Sequence, residues 1–189
     1  MKKVPSAARP TASAPVRRAS AGATDLSLRA PKAGERVALL RLKFASNPQL
    51  LGVVRSAVCA LSESIGFSPE GSRAVIRSVD EALANVMRHA YGGQRDLPIH
   101  LTCWSVASKL PEGAKAALEI VIMDRGIPMP QEKLHAPPPR ELRPGGLGLE
   151  WMRKSMDVVE HSRKGKTNSL RMLKYAMQAG DPATKEQHS

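Results

Sequence analysis

Two consecutive segments of this chain carry complete helix punctuation, and that pair limits the available folds more than any other feature. Asn47-Pro48 supplies a capping side chain and then proline at the first helical position, after which Leu50, Val54, Val58, Leu61 and Ile65 recur at intervals of three or four up to Gly66. Ser68-Pro69-Glu70 repeats the start signal with an acid in the first turn. Val75, Val79, Ala82, Val86 and Ala90 then carry a second apolar stripe to about Tyr91, and Gly92-Gly93 ends it. Each helix is wet on one side and apolar on the other, so both need a layer to cover them.

Strands provide that layer. From Val37 to Phe44, Leu40, Leu42 and Phe44 oppose Arg41 and Lys43, the alternation of a strand with one wet face. Ile99 to Val106 and Leu118 to Met123 read as two further strands joined by a turn at Pro111-Glu112-Gly113, and the second is apolar enough to be central. Leu147 to about Asp157 reads as a helix, and Leu170, Met172 and Leu173 mark a last strand after a turn at Gly165. Apolar residues make up 42% of the chain and aromatics 3%, so the core is aliphatic and a base-stacking surface for single-stranded nucleic acid is poorly supplied.

Two stretches stand apart. Residues 1–34 are Ala, Ser, Pro and Arg with almost no large apolar side chains, the composition of a disordered tail. Seven basic residues there (Lys2, Lys3, Arg9, Arg17, Arg18, Arg29, Lys32) face one acid, Asp25, so half of the formal charge of +12 belongs to that tail. The remaining charge suits nucleotide phosphates or an acidic partner, and no base-reading motif accompanies it. Residues 125–146 hold six prolines and no periodicity, a loop longer than compact domains carry without a task. Cys59 and Cys103 lie in apolar stretches without metal-ligand spacing and read as reduced, buried thiols of a cytoplasmic protein. No apolar run approaches the roughly 20 residues of a membrane helix.

Three short elements carry chemistry. On the second helix, Glu81, Asn85 and His89 fall at i, i+4 and i+8, so a carboxylate lies one turn from an amide oxygen on a stripe of its own. Such a pair can handle a proton and a Mg²⁺ ion, and it also occurs on plain solvated helix faces. Asp124-Arg125-Gly126 leaves the end of the apolar strand: its carboxylate can accept from an exocyclic amine such as adenine's, and the same residues serve as an ordinary strand-end turn. Gly145-Gly146-Leu147-Gly148-Leu149 opens a helix whose free N–H groups can hold phosphate, although no Lys-Ser or Lys-Thr follows as in a P-loop.

The order helix E-x-x-x-N-x-x-x-H-A-Y, strand ending D-R-G-x-P, loop, G-G-L-G-L, helix, and a turn with Gly165-Lys166-Thr167 resembles the GHKL (histidine-kinase-like) ATPase superfamily over roughly residues 36–177. Within it, His89-Ala90-Tyr91 and Asp124-Arg125-Gly126-Ile127-Pro128 resemble the anti-sigma-factor serine/threonine kinases. The resemblance implies a two-layer α/β (α+β) sandwich over residues 35–178, with a mixed, mostly antiparallel sheet of four or five strands, helices on one face, and residues 179–189 as a polar tail. It implies ATP and Mg²⁺ as ligands, with Glu81 the general base and Asn85 the metal ligand. Asp124 would bind the adenine amine with Thr167 nearby, and Arg88, His89, Gly126, Gly146, Leu147 and Gly148 would line the nucleotide under a lid at 127–145. Apart from the resemblance, Arg140 and Arg143 at the end of that lid can meet the γ-phosphate or stand as ordinary solvated loop arginines. A sigma factor, a STAS-domain anti-anti-sigma protein and a second copy of the chain are the partners the resemblance implies, with neither direct nucleic-acid nor membrane contact. The alternative is a nucleotide-sensing module of the same fold with little kinase turnover.

Overall fold

The computed structural model describes residues 35–107, 110–130 and 147–177. Strand β1 (Arg36–Ala45) leads through a single 3-10 turn at Pro48–Leu50 into α1 (Leu51–Ile65), followed by α2 (Pro69–Asn85) and its extension Val86–Ala90. Strands β2 (Pro98–Val106) and β3 (Ala114–Asp124), helix α3 (Leu147–Ser155), and strands β4 (Val158–Lys164) and β5 (Thr167–Met177) complete it. The caps act as their residue types demand. Asn47 Oδ1 accepts from Gln49 N–H at 3.0 Å, and Ser68 Oγ accepts from Gly71 N–H at 3.1 Å. Gly66 ends α1 at φ 94°, a left-handed conformation suited to glycine, and its N–H donates to Glu63 C=O at 3.0 Å.

The sheet runs β1-β2-β3-β5-β4, and all four pairings are antiparallel. The expectation of a mixed sheet is therefore corrected in detail: among the described residues no parallel pair occurs. β1 and β2 are neighbours although α1 and α2 separate them in sequence, because both helices pack on one face and return the chain to the adjacent edge. On that face Ile99, Leu101, Cys103, Leu118, Ile120, Ile122, Leu170 and Met172 meet Val54, Val58, Val75, Val79, Leu83 and Met152 in one core. Removing each such side chain from water is worth about 1.5–3 kcal/mol.

β4 is the strand that the hydrophobic pattern did not announce. It is an edge strand whose Glu160 bonds Arg171 at 2.9 Å, and such edges carry charge in place of an apolar run. The opposite face of the sheet is polar, with Glu119 buried between Arg36 and Arg171 and the Arg36 guanidinium 4.0 Å from the centre of the Trp104 ring. Cys103 is fully buried as expected, whereas Cys59 is only half-buried and lies 3.4 Å from Glu63 Oε1. No helix among the described residues is long and apolar enough to cross a membrane.

Candidate active site

Helix α2 presents Glu81 and Asn85 one turn apart, both partly buried. At Asn85 the regular helix gives way to a π turn, Val86–Ala90, closed by Tyr91 N–H donating to Val86 C=O at 2.9 Å. Turns closed by i→i+5 bonds hold more residues than α turns, so positions beyond Asn85 fall out of phase. His89 is exposed there and leaves the stripe that an uninterrupted helix predicts. Arg88 Nε donates to Ala84 C=O at 3.3 Å, and its Nη2 lies 3.9 Å from Glu81 Oε1.

The π turn also ties the helix to the end of β3. Ala90 C=O accepts from Ile127 N–H at 2.8 Å, and a Cβ on Gly126 would overlap the Ala90 carbonyl, so only glycine fits this crossing. Tyr91 Oη donates to Pro98 C=O at 2.6 Å and accepts from Arg125 N–H at 3.1 Å, bridging the starts and ends of two strands. Burial pushes the Tyr91 phenol up from its ordinary pKa, which keeps it a donor.

Asp124 is buried at the C-terminus of β3, and its Oδ1 accepts from Gly126 N–H and from Asn168 Nδ2, each at 2.8 Å. Asn168 Nδ2 also donates to Gly126 C=O at 3.1 Å, and Arg163 Nη1 donates to Asn168 Oδ1 at 2.5 Å. The residue beside Asp124 is thus Asn168, which stands opposite it in the β3–β5 register. Thr167, expected there, starts β5 opposite Lys164, and strand alternation turns consecutive side chains to opposite faces. Thr167 is implied by the resemblance of the Gly165-Lys166-Thr167 turn, whereas the register that selects Asn168 has no local signature.

Helix α3 closes the third side. A Cβ on Gly148 would overlap the Glu81 carboxyl group, so the start of α3 lies directly on that side chain. Glu81, Gly148, Arg77, Ser78, Arg88, Trp151 and Met152 line a cleft of about 280 Å³. Gly146, Arg140 and Arg143 fall outside the described residues, and Leu147 is described in its backbone alone. One amide oxygen and one carboxylate a turn apart are hard donors of the kind magnesium takes when phosphate oxygens and waters complete its shell. Among the described residues no group of three His, Cys, Asp or Glu side chains could hold a metal unaided.

The described residues thus carry a helix with a Glu/Asn pair, a buried strand-end Asp and a glycine-bearing helix pressed on the Glu. The sequence profile of the histidine kinase-like ATPase domain matches residues 44–174, and the chain belongs to that family. Within it, the chain is 29% identical over 129 residues to the serine-protein kinase RsbW of Oceanobacillus iheyensis, covering 64% of this chain and 77% of that one. It is 25% identical over 145 residues to the serine-protein kinase RsbW of Bacillus velezensis, covering 72% and 84%. Among solved structures, the RsbU and RsbW domains of Rv1364c from Mycobacterium tuberculosis superpose with a TM-score of 0.51 at 11% identity, over 75% of this chain and 34% of that one. At that identity the likeness bears on the fold alone.

Proposed function

We propose that this chain is an ATP-dependent serine/threonine protein kinase and anti-sigma factor, which holds a sigma factor and phosphorylates a STAS-domain anti-anti-sigma protein in the cytoplasm, as a homodimer. The observation that carries the reading is the seating of Gly148 on Glu81, which sets the proposed base against a helix start in one cleft, one helical turn from Asn85. Similarity to RsbW kinases at 25–29% identity supports the protein substrate class.

Glu81 accepts the hydroxyl proton of the acceptor serine as its oxygen attacks the γ-phosphorus, the bond from that phosphorus to the β–γ bridging oxygen breaks and ADP leaves. Asn85 would hold Mg²⁺, which would supply charge neutralisation on the phosphates. Asp124 accepts the adenine amine on Oδ2, since both bonds described for it fall on Oδ1. Asn168 fixes the rotamer of that carboxyl group from behind.

Incubation with γ-labelled ATP and the STAS protein of the same organism, alongside sigma-factor capture, tests the assignment. Labelling of that STAS protein is the expected result. ATP binding and partner capture without labelling would instead leave a nucleotide-sensing module.

A further inference from the structure

The Glu81 cleft contains a pair of side chains that nucleotide binding does not use. Arg77 lies one turn before Glu81 on α2, and its guanidinium stacks 3.8 Å from the centre of the Trp151 ring on α3. Trp151 is 44% exposed at the cleft mouth, unusual for a ring that size in a chain so poor in aromatics. At a rise of about 1.5 Å per residue, Asn85, Glu81 and Arg77 stand about 6 Å apart in succession along the helix axis. On the roles proposed above, Asn85 would hold the metal and Glu81 would stand beside the attacked phosphorus, so Arg77, about 12 Å from Asn85 along the axis, lies beyond Glu81 from the metal ligand. Arg73, exposed one further turn back, continues the basic stripe. Ser78 lines the same cleft, buried, with an Oγ that has no hydrogen-bond partner.

On the kinase reading given above, we propose that Arg77 and Trp151 form the acceptor-recognition element, selecting a protein segment that carries an Asp or Glu within a few residues of the serine or threonine to be phosphorylated. Stacking on Trp151 fixes the guanidinium plane while leaving its N–H edge directed outward, the geometry for bidentate binding of a carboxylate. The ring contributes an apolar platform for the acceptor backbone. Arg77 and Arg88 line the cleft with Glu81, a balance that repels a basic segment and attracts an acidic one.

Steady-state transfer of labelled γ-phosphate to the STAS protein of the same organism tests this, with the full chain and its variants Arg77→Ala, Arg77→Lys and Trp151→Leu. Each variant is expected to raise KM for the acceptor about tenfold while the Kd for ATP moves less than about twofold, and Arg77→Lys fails to rescue because it keeps charge but loses the stacked plane. Changing the acceptor's nearby Asp or Glu to the amide should raise KM equally for wild type and not further for Arg77→Ala. Unchanged KM in Arg77→Ala, or full additivity of the two changes, overturns the acceptor proposal and leaves the kinase assignment standing. A wild-type protein that binds ATP but labels no STAS protein overturns both.

Discussion

Glu81 has the α3 backbone on one side and the Arg88 guanidinium 3.9 Å away on another, so its carboxyl group has little room to reorient. A held carboxylate is what a general base needs, and Glu81→Gln preserves shape while removing the proton acceptor. Transfer to a STAS substrate should slow by about 10² to 10⁴ while calorimetric ATP affinity stays within a few-fold. Gly148→Ala attacks the same contact from the other side: the new methyl must push Glu81 or α3 aside, at a cost of about 1–3 kcal/mol by thermal unfolding, with transfer falling at least as far as in Glu81→Gln. Should Gly148→Ala retain wild-type transfer, the seating of α3 on Glu81 has no role in the chemistry. The type and order of Glu81, Asn85, Asp124 and Gly148 are legible in the sequence. What Gly148 touches is not, because a glycine that admits phosphate and one that admits a carboxylate are written alike.

Elements meet at Tyr91, where the π turn of α2 reaches both the start of β2 and the exit from β3. Its hydroxyl satisfies one backbone carbonyl and one backbone N–H that no strand pairing reaches, so Tyr91→Phe leaves two partly buried groups without partners. Each costs about 1–3 kcal/mol, and the turn that presents Asp124 loosens. The measurable outcome is a lower Tm together with weaker ATP binding; a lower Tm with unchanged affinity would confine Tyr91 to stability. Helix boundaries and the central strands follow from capping residues and periodicity, which are local. The π turn and the Asp124–Asn168 pairing were not legible, since contacts between segments distant in the chain decide them, and β4, although it forms a tight hairpin with β5, carries too much charge to register as apolar alternation.

For the molecule as a whole, the aliphatic core encloses a titratable group on its central layer, the Cys103 thiol. Cys103 on β2 is fully buried with no charged neighbour to offset desolvation, and burial pushes its thiol pKa from 9.0 up to about 12. A folded-state pKa above the unfolded value means that the unfolded chain releases this proton first as pH rises. The contribution of the neutral thiol to stability is therefore complete below pH 9.0 and is lost progressively between there and about 12. At about pH 10.5 the loss comes to about 2 kcal/mol, from 1.36 kcal/mol per pH step above the unfolded value. Lysines and tyrosines titrate in the same interval, so the informative quantity is the difference between wild type and Cys103→Ala. Urea unfolding at pH 8 should show the variant less stable, because a buried sulfur has been replaced by a gap. Between pH 8 and about 10.5 that deficit should shrink by about 2 kcal/mol, since alanine has no proton to lose. A deficit that stays constant across the interval would mean that Cys103 is not held neutral by the core, and that the sheet opens to hydroxide more readily than its packing implies.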